Sequence, residues 1–277
     1  MMIIELKMSE FHRCKDLLLK QSQPEAKAVV EGINPGRIFV DNINTPASGV
    51  IWLGNNDGFF FIGNERNERF NNELNHFVDT VITPEAKKVG LTWFEGIGDH
   101  HKWDDTIKRV FANRHLGSWK QRVYTLEKND YTSNFNLMIE EGYDIVRMSE
   151  ALFENKDKSI KNIDFLHSQI AETWSSPDSF LHKGVGYCVI YKNEIVSICF
   201  SNFVVDNVHS IAIETLEEHQ GKKLAQKIAS AYVEDCMKNN FIPYWDCMES
   251  NKPSIAVAER IGFRMKFHYV GYDFKLG

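Results

Sequence analysis

The sequence predicts a mixed α/β protein, with mostly antiparallel sheets flanked by helices and arranged as two lobes. Three observations carry that expectation. First, Ser210-Ile-Ala-Ile-Glu-Thr reads as a strand that passes through a polar turn at Gly221 into an amphipathic helix. There Leu224, Ile228, Tyr232 and Cys236 recur every fourth residue, with Ala225, Ala229 and Val233 beside them. Lys223, Gln226, Lys227, Ser230 and Glu234 form the opposite face. Second, a length of 277 residues suits two compact domains better than one. Third, the halves share an order. Gly36-Arg-Ile-Phe-Val, Ser48-Gly-Val-Ile-Trp and Gly58-Phe-Phe-Phe-Ile-Gly63 precede one helix, as Gly186-Tyr-Cys-Val-Ile, Glu194-Ile-Val-Ser-Ile and His209-Ser-Ile-Ala-Ile precede another. A worn internal duplication and convergent hairpins would both produce that order. The expected lobes are residues 1–130 and 131–277, with the polar stretch Glu127 to Asn136 as linker.

Composition bounds the function. Hydrophobic content of 43% and charged content of 25% are those of an ordinary globular protein. A net charge of -6 argues against nucleic acid or an acidic membrane as partner. The N-terminus lacks a basic segment followed by a long apolar core, and no apolar run reaches membrane-span length. Cys14, Cys188, Cys199, Cys236 and Cys247 are odd in number and form no CxxC pair, so buried thiols in a reducing cytoplasm are expected.

In chain order, residues 3–22 read as a helix-rich lead-in, followed by a hairpin from Arg37 to Leu53 and a buried strand Phe59 to Ile62. Helices follow through Phe70 and Phe77 and from Pro84, then a strand Leu91 to Phe94, a helix Trp103 to Phe111 and a strand Val123 to Leu126. The second half opens with strand Tyr143 to Arg147 and a helical segment Ile160 to Trp174, interrupted by Ser175 to Ser179. A hairpin then turns at Lys192-Asn193-Glu194, between Val185 to Tyr191 and Ile195 to Val204. After the organising strand and helix come strand Phe241 to Cys247, a helix capped by Asn251, and one or two closing strands over Arg264 to Phe274.

The chemistry concentrates at Gly221. A helix N-terminus leaves its first amides without intrahelical acceptors, and they point toward the positive end of the helix dipole, a ready site for phosphate. Gly221 has no Cβ to hold a ligand off the backbone. The run Glu218-His-Gln-Gly-Lys-Lys223, followed by Leu224-Ala225, resembles the acetyl-CoA loop of the GNAT superfamily of N-acetyltransferases. Glu218 stands for the usual Gln or Arg, and Lys223 for the usual small residue. Asn251-Lys-Pro-Ser-Ile-Ala-Val-Ala-Glu-Arg-Ile-Gly-Phe263 resembles the family's next motif. The resemblance covers about residues 140–277, and the two-lobed arrangement is similar to the subgroup that includes zwittermicin A resistance acetyltransferases.

The resemblance implies a GNAT-like fold whose sheet splays between its fourth and fifth strands, and acetyl-CoA as co-substrate without a metal. The implied cofactor-binding positions are Ile211, Ala212 and Ile213 on the strand, and His219, Gln220, Gly221, Lys222, Lys223, Leu224 and Ala225 on the loop. Asn251 and Ser254 join them from the next helix. The pyrophosphate is expected on the amides of His219 to Leu224, and an oxyanion donor near Ile211. The acceptor is expected to be a primary amine of a small molecule; a non-catalytic acyl-CoA-binding or regulatory protein is the alternative. The oligomeric state is open, a homodimer being one candidate.

The family's usual proton-transferring positions hold Asn207 and Ala258, which cannot serve. His209, on the strand parity of Asn207, is the first candidate base, against an equally weighted structural role. Glu214 is the second. The loop Asn64-Glu-Arg-Asn-Glu-Arg69 has no glycine and two carboxylates, so the first lobe is expected to lack an acetyl-CoA site. Asp99-His-His-Lys-Trp-Asp-Asp105 reads as a solvated loop or substrate-facing rim rather than a metal site. Phe59-Phe-Phe61 reads as core, and Cys247 as an inert strand thiol.

Overall fold

A computed structural model describes residues 3–54, 56, 58–127, 129–131, 140–156 and 158–277. Of the expected linker, Lys128 and residues 132–136 lie outside the described residues. In chain order the strands are β1 (Ile4–Glu5), β2 (Gly36–Val40), β3 (Ser48–Leu53), β4 (Gly58–Gly63), β5 (Trp93–Gly98) and β6 (Gly117–Thr125). They continue with β7 (Tyr143–Arg147), β8 (Gly186–Tyr191), β9 (Glu194–Val205), β10 (Val208–Thr215), β11 (Ile242–Met248) and β12 (Arg264–Lys275). The chain forms two compact units, residues 1–121 with 268–277, and 122–267.

In the first unit β1, β2, β3 and β4 pair antiparallel in sequence, and β4 pairs parallel with β5. The C-terminal part of β12 pairs antiparallel with β5, Gly271 opposite Ile97 and Lys275 opposite Trp93. That pairing is why the last ten residues belong to the first unit, although they read as part of the second lobe. Phe59, Phe61, Phe94, Phe111 and Phe274 build this core, with Phe59 stacked on Phe94 at 4.1 Å and Phe94 on Phe274 at 4.8 Å. The lead-in is a short strand and a 3-10 helix Met8–Leu17, and the helices after Phe70 include a π-helical turn Val78–Ile82.

The second unit repeats the order. β7, β8, β9 and β10 pair antiparallel, and β10 pairs parallel with β11. Lys192 and Asn193 both adopt positive φ in the β8–β9 turn, as a tight hairpin requires. The helix Leu224–Lys238 buries Leu224, Ile228, Ala229, Tyr232, Val233 and Cys236 against the sheet. Gln226 and Ser230, expected on its solvated face, are also buried, and the Ser230 hydroxyl donates to the Gln226 carbonyl at 2.8 Å. The next helix, Lys252–Ile261, starts at Asn251, whose side chain accepts from the Ser254 amide at 3.1 Å, and ends at Gly262 with φ +107°. The closing segment is one strand, β12. All five cysteines are buried and unpaired. Among the described residues no helix is long and apolar enough to cross a membrane.

Candidate active site

The site is shaped by the way β10 and β11 part. They pair only over Val208–Ile242, His209–Pro243 and Ser210–Tyr244. At Ser210–Ile211 a register shift interrupts the β9–β10 ladder, after which β10 follows β9 from Ile211 to Thr215. A bulge bends and twists its strand, and among the described residues no pair joins β10 to β11 beyond it. The edge of β10 from Ile211 onward therefore opens toward a gap.

Beyond β10 the chain makes a 3-10 turn, Glu217–His219, and then the loop. Gly221 has φ +77°, and a Cβ built there meets nothing within 4 Å, so the loop backbone faces open space. Lys223 caps the following helix in the left-handed region, φ +62°, without a side-chain cap bond. The first bond of that helix runs from the Lys227 amide to the Lys223 carbonyl at 3.0 Å, leaving the amides of Leu224, Ala225 and Gln226 for a ligand. The amides of His219 and Gln220 are already taken, by the carbonyls of Leu216 at 2.9 Å and Glu217 at 3.1 Å. Of the expected run His219 to Leu224, the first two amides are therefore engaged within the chain.

These elements line one cleft of about 640 Å³. It brings together Ile213, Glu214, His219, Gln220, Gly221, Lys223, Leu224, Ala225, Asn251 and Ser254 from the expected set. It adds Thr215, Gln226, Trp245, Pro253, Ala256, Val257 and Arg260, which sequence reasoning did not single out. The spacing from Asn251 could have found part of these, since Pro253, Val257 and Arg260 follow a helical three-to-four repeat on one face. Trp245 donates its indole N–H to the Ser254 hydroxyl at 3.0 Å and so fixes that side chain at the wall. Ile211, Ala212 and Lys222 are not in the lining; the Lys222 ammonium is held by the Glu218 carbonyl at 2.8 Å. His219 stands against Tyr143, with ring nitrogen and phenol oxygen 2.9 Å apart.

His209 is not brought to the cleft. It is 1% exposed, its Nδ1 lies 2.9 Å from Ser201 Oγ, and its ring stacks on Phe241 at 4.2 Å. Burial pushes its pKa down to about 4. Asn207 does not share a strand with His209: it lies in the turn before β10 and donates its side-chain amide to the Asn240 carbonyl at 3.3 Å. Glu214 does line the cleft and is exposed. Ala258 is fully buried in the core. Cys247 is buried and its thiol pKa is raised by that burial, which suits packing rather than nucleophilic chemistry.

A sheet opened between two parallel strands, beside a loop that leads into a helix, is the architecture of an acetyltransferase class of fold. The chain belongs to the GNAT acetyltransferase family, whose family model matches residues 15–272. It is 25% identical over 245 residues to an uncharacterized N-acetyltransferase, YdfB, of Bacillus subtilis, covering 88% of each chain. Among solved structures, its fold is similar to a GCN5-related N-acetyltransferase-like protein from Streptococcus suis, with TM-score 0.71, 18% identity, and 97% and 100% of the two chains covered. It is also similar to a tandem GNAT protein from the clavulanic acid biosynthesis pathway, with TM-score 0.61, 11% identity, and 100% and 98% covered.

Proposed function

We propose that the protein transfers the acetyl group of acetyl-CoA to a primary amine of a small molecule. The supporting observation is that the free amides of the Leu224 helix and the opened edge of β10 meet in one cleft. The donor set fits the co-substrate: backbone N–H groups and Lys223 suit a pyrophosphate, and the Gly221 backbone can be approached closely. Acetyl-CoA supplies an activated acyl carbon with a thiolate leaving group. A backbone N–H of the β10 edge where it lines the cleft, at Ile213 rather than the expected Ile211, would stabilise negative charge developing on the carbonyl oxygen. The amine lone pair forms the new C–N bond as the C–S bond breaks, and the amine's proton passes to water.

No buried base lines the cleft among the described residues, so orientation supplies most of the acceleration and the amine attacks in its free-base form. His209 is read as a structural histidine, and Glu214 as an exposed carboxylate at the rim. The first unit is read as lacking an acetyl-CoA cradle, because Asn67 caps only the four-residue helix Glu68–Asn71 and the loop before it has no glycine and carries the Glu65 carboxylate. Thiol release from acetyl-CoA against a panel of small amines tests the reading. Acceptor-dependent release is expected. Tight acetyl-CoA binding with no release on any amine would favour the acyl-CoA-binding alternative, and the mass of a co-purified ligand would reveal a longer acyl group.

A further inference from the structure

The arginines of the second unit differ in what holds them. Arg122 donates to the Glu249 carboxylate at 2.8 Å, Arg147 to Asp235 at 2.8 Å and Arg264 to Asp130 at 2.9 Å. Arg260 is the exception. Among the described residues no carboxylate or other hydrogen-bond partner engages its guanidinium, and it lines the same cleft as Gly221 and Lys223. A guanidinium stays charged in a protein and presents a planar fork of N–H donors, which matches an oxyanion.

Arg260 stands in the last turn of the helix Lys252–Ile261, on the face from which Pro253 and Val257 also line the cleft. Ser254, near the start of that helix, is about 9 Å away along its axis. Lys223 and the free amides of Leu224, Ala225 and Gln226 come to the cleft from the other helix. The lining thus sets the fixed cations Lys223 and Arg260 against a single carboxylate, Glu214. Coenzyme A brings a pyrophosphate and, across the ribose from it, a 3′-phosphomonoester. Such a monoester carries about −1.5 to −2 charges near neutral pH. The Leu224 helix amides and Lys223 suit the pyrophosphate, which leaves the monoester in need of a cation of its own.

We propose that Arg260 anchors the 3′-phosphate of the co-substrate, so that the protein selects coenzyme A over its dephospho form. The proposal rests on the acetyl-CoA reading above. A guanidinium can meet a phosphate through two parallel N–H bonds, and such charge-assisted pairs are stronger than neutral ones. A cation in the last turn of a helix also complements the helix dipole. That structural role acts on the fold whichever ligand is present, so it gives no preference between two ligands that differ only in the 3′-phosphate. A carboxylate on the acceptor is the other counter-charge Arg260 could meet, and it plays no part in binding measured without acceptor.

Calorimetric titration of the full chain with coenzyme A and with dephospho-coenzyme A, without acceptor and at constant pH and ionic strength, reads the preference. The parent is expected to bind coenzyme A at least ~10-fold more tightly. Arg260 is exposed, so Arg260→Gln is expected to fold. In that variant the preference is expected to fall by at least ~3-fold, through lost coenzyme A affinity with dephospho-coenzyme A affinity unchanged. Arg260→Lys, which keeps the charge without the fork, is expected to lie between. Lys266→Gln, which removes an exposed charge outside the lining, is expected to keep the parent preference. A parent preference below ~3-fold, or a fall of less than ~3-fold in Arg260→Gln, overturns the proposal. An equal loss for both ligands is the helix-dipole outcome and overturns it too. In each of these cases coenzyme A still binds the parent and the acetyl-CoA reading stands. Failure of the parent to bind either ligand would remove that reading and the proposal together.

Discussion

The Nδ1 of His209 lies 2.9 Å from the hydroxyl of Ser201, which also meets the Tyr232 hydroxyl at 2.8 Å and accepts from the Val185 amide at 3.0 Å. A histidine closed into such a network is neutral when folded. Its pKa is pushed down to about 4 by burial from an ordinary 6.5, so between those values the unfolded chain binds a proton that the folded chain does not. Stability from this group is full above pH ~6.5 and falls as the pH drops toward ~4, by roughly 3 kcal/mol in all. Urea denaturation of the parent and of His209→Asn across this range is expected to show a shallower pH slope in the variant. The pH profile of kcat/KM is expected to keep its shape in the variant; loss of a limb in that profile would return His209 to the chemistry.

Gly221→Asp tests the cradle. At φ +77° the substitution carries a left-handed strain of about 1–2 kcal/mol, but no neighbour lies within 4 Å to clash with the new Cβ. The variant is expected to fold with a slightly lowered Tm and to bind acetyl-CoA at least ~10-fold more weakly, about 1.4 kcal/mol, by calorimetry. Gly221→Asn, which tolerates this conformation and adds no charge, is expected to lose less. Parent-like affinity in Gly221→Asp would move the phosphate site elsewhere.

Glu214→Gln separates a rim carboxylate from a general base. Because Glu214 is exposed, kcat is expected to fall less than ~3-fold with unchanged acetyl-CoA affinity. A fall of ~100-fold or more under steady-state assay, lessened as the pH rises and the amine deprotonates unaided, would make it the base.

Cutting the chain tests where the second lobe begins. Tyr124 and Leu126 lie N-terminal to the expected linker, yet both are buried in the second unit's core beside Ile228, Trp245 and Ala258. A fragment of residues 135–277 lacks both, a loss of roughly 2–5 kcal/mol for each buried side chain removed. It is expected to show no cooperative thermal transition by circular dichroism. A cooperative melt with retained acetyl-CoA binding would show that the core closes without them.

Much of this protein was legible because its signals are local. The fourth-residue repeat from Leu224 to Cys236, the cap at Asn251, the turn at Gly221 and the stop at Gly262 each arise from backbone demands satisfied within a few residues. What only the tertiary structure decided depends on partners remote in the chain. Strand parity could not say that His209 turns toward Ser201 and Tyr232, because that choice depends on which face the helix covers. The polar faces of Gln226 and Ser230 became buried for the same reason, through packing rather than periodicity. The last strand read as part of the second lobe, but the edge of β5 supplied its hydrogen-bond partners in the first unit. Local pattern specifies which segments become strands and helices. The pairing of exposed edges and the burial of particular polar atoms follow from long-range complementarity, which no single stretch of this sequence contains.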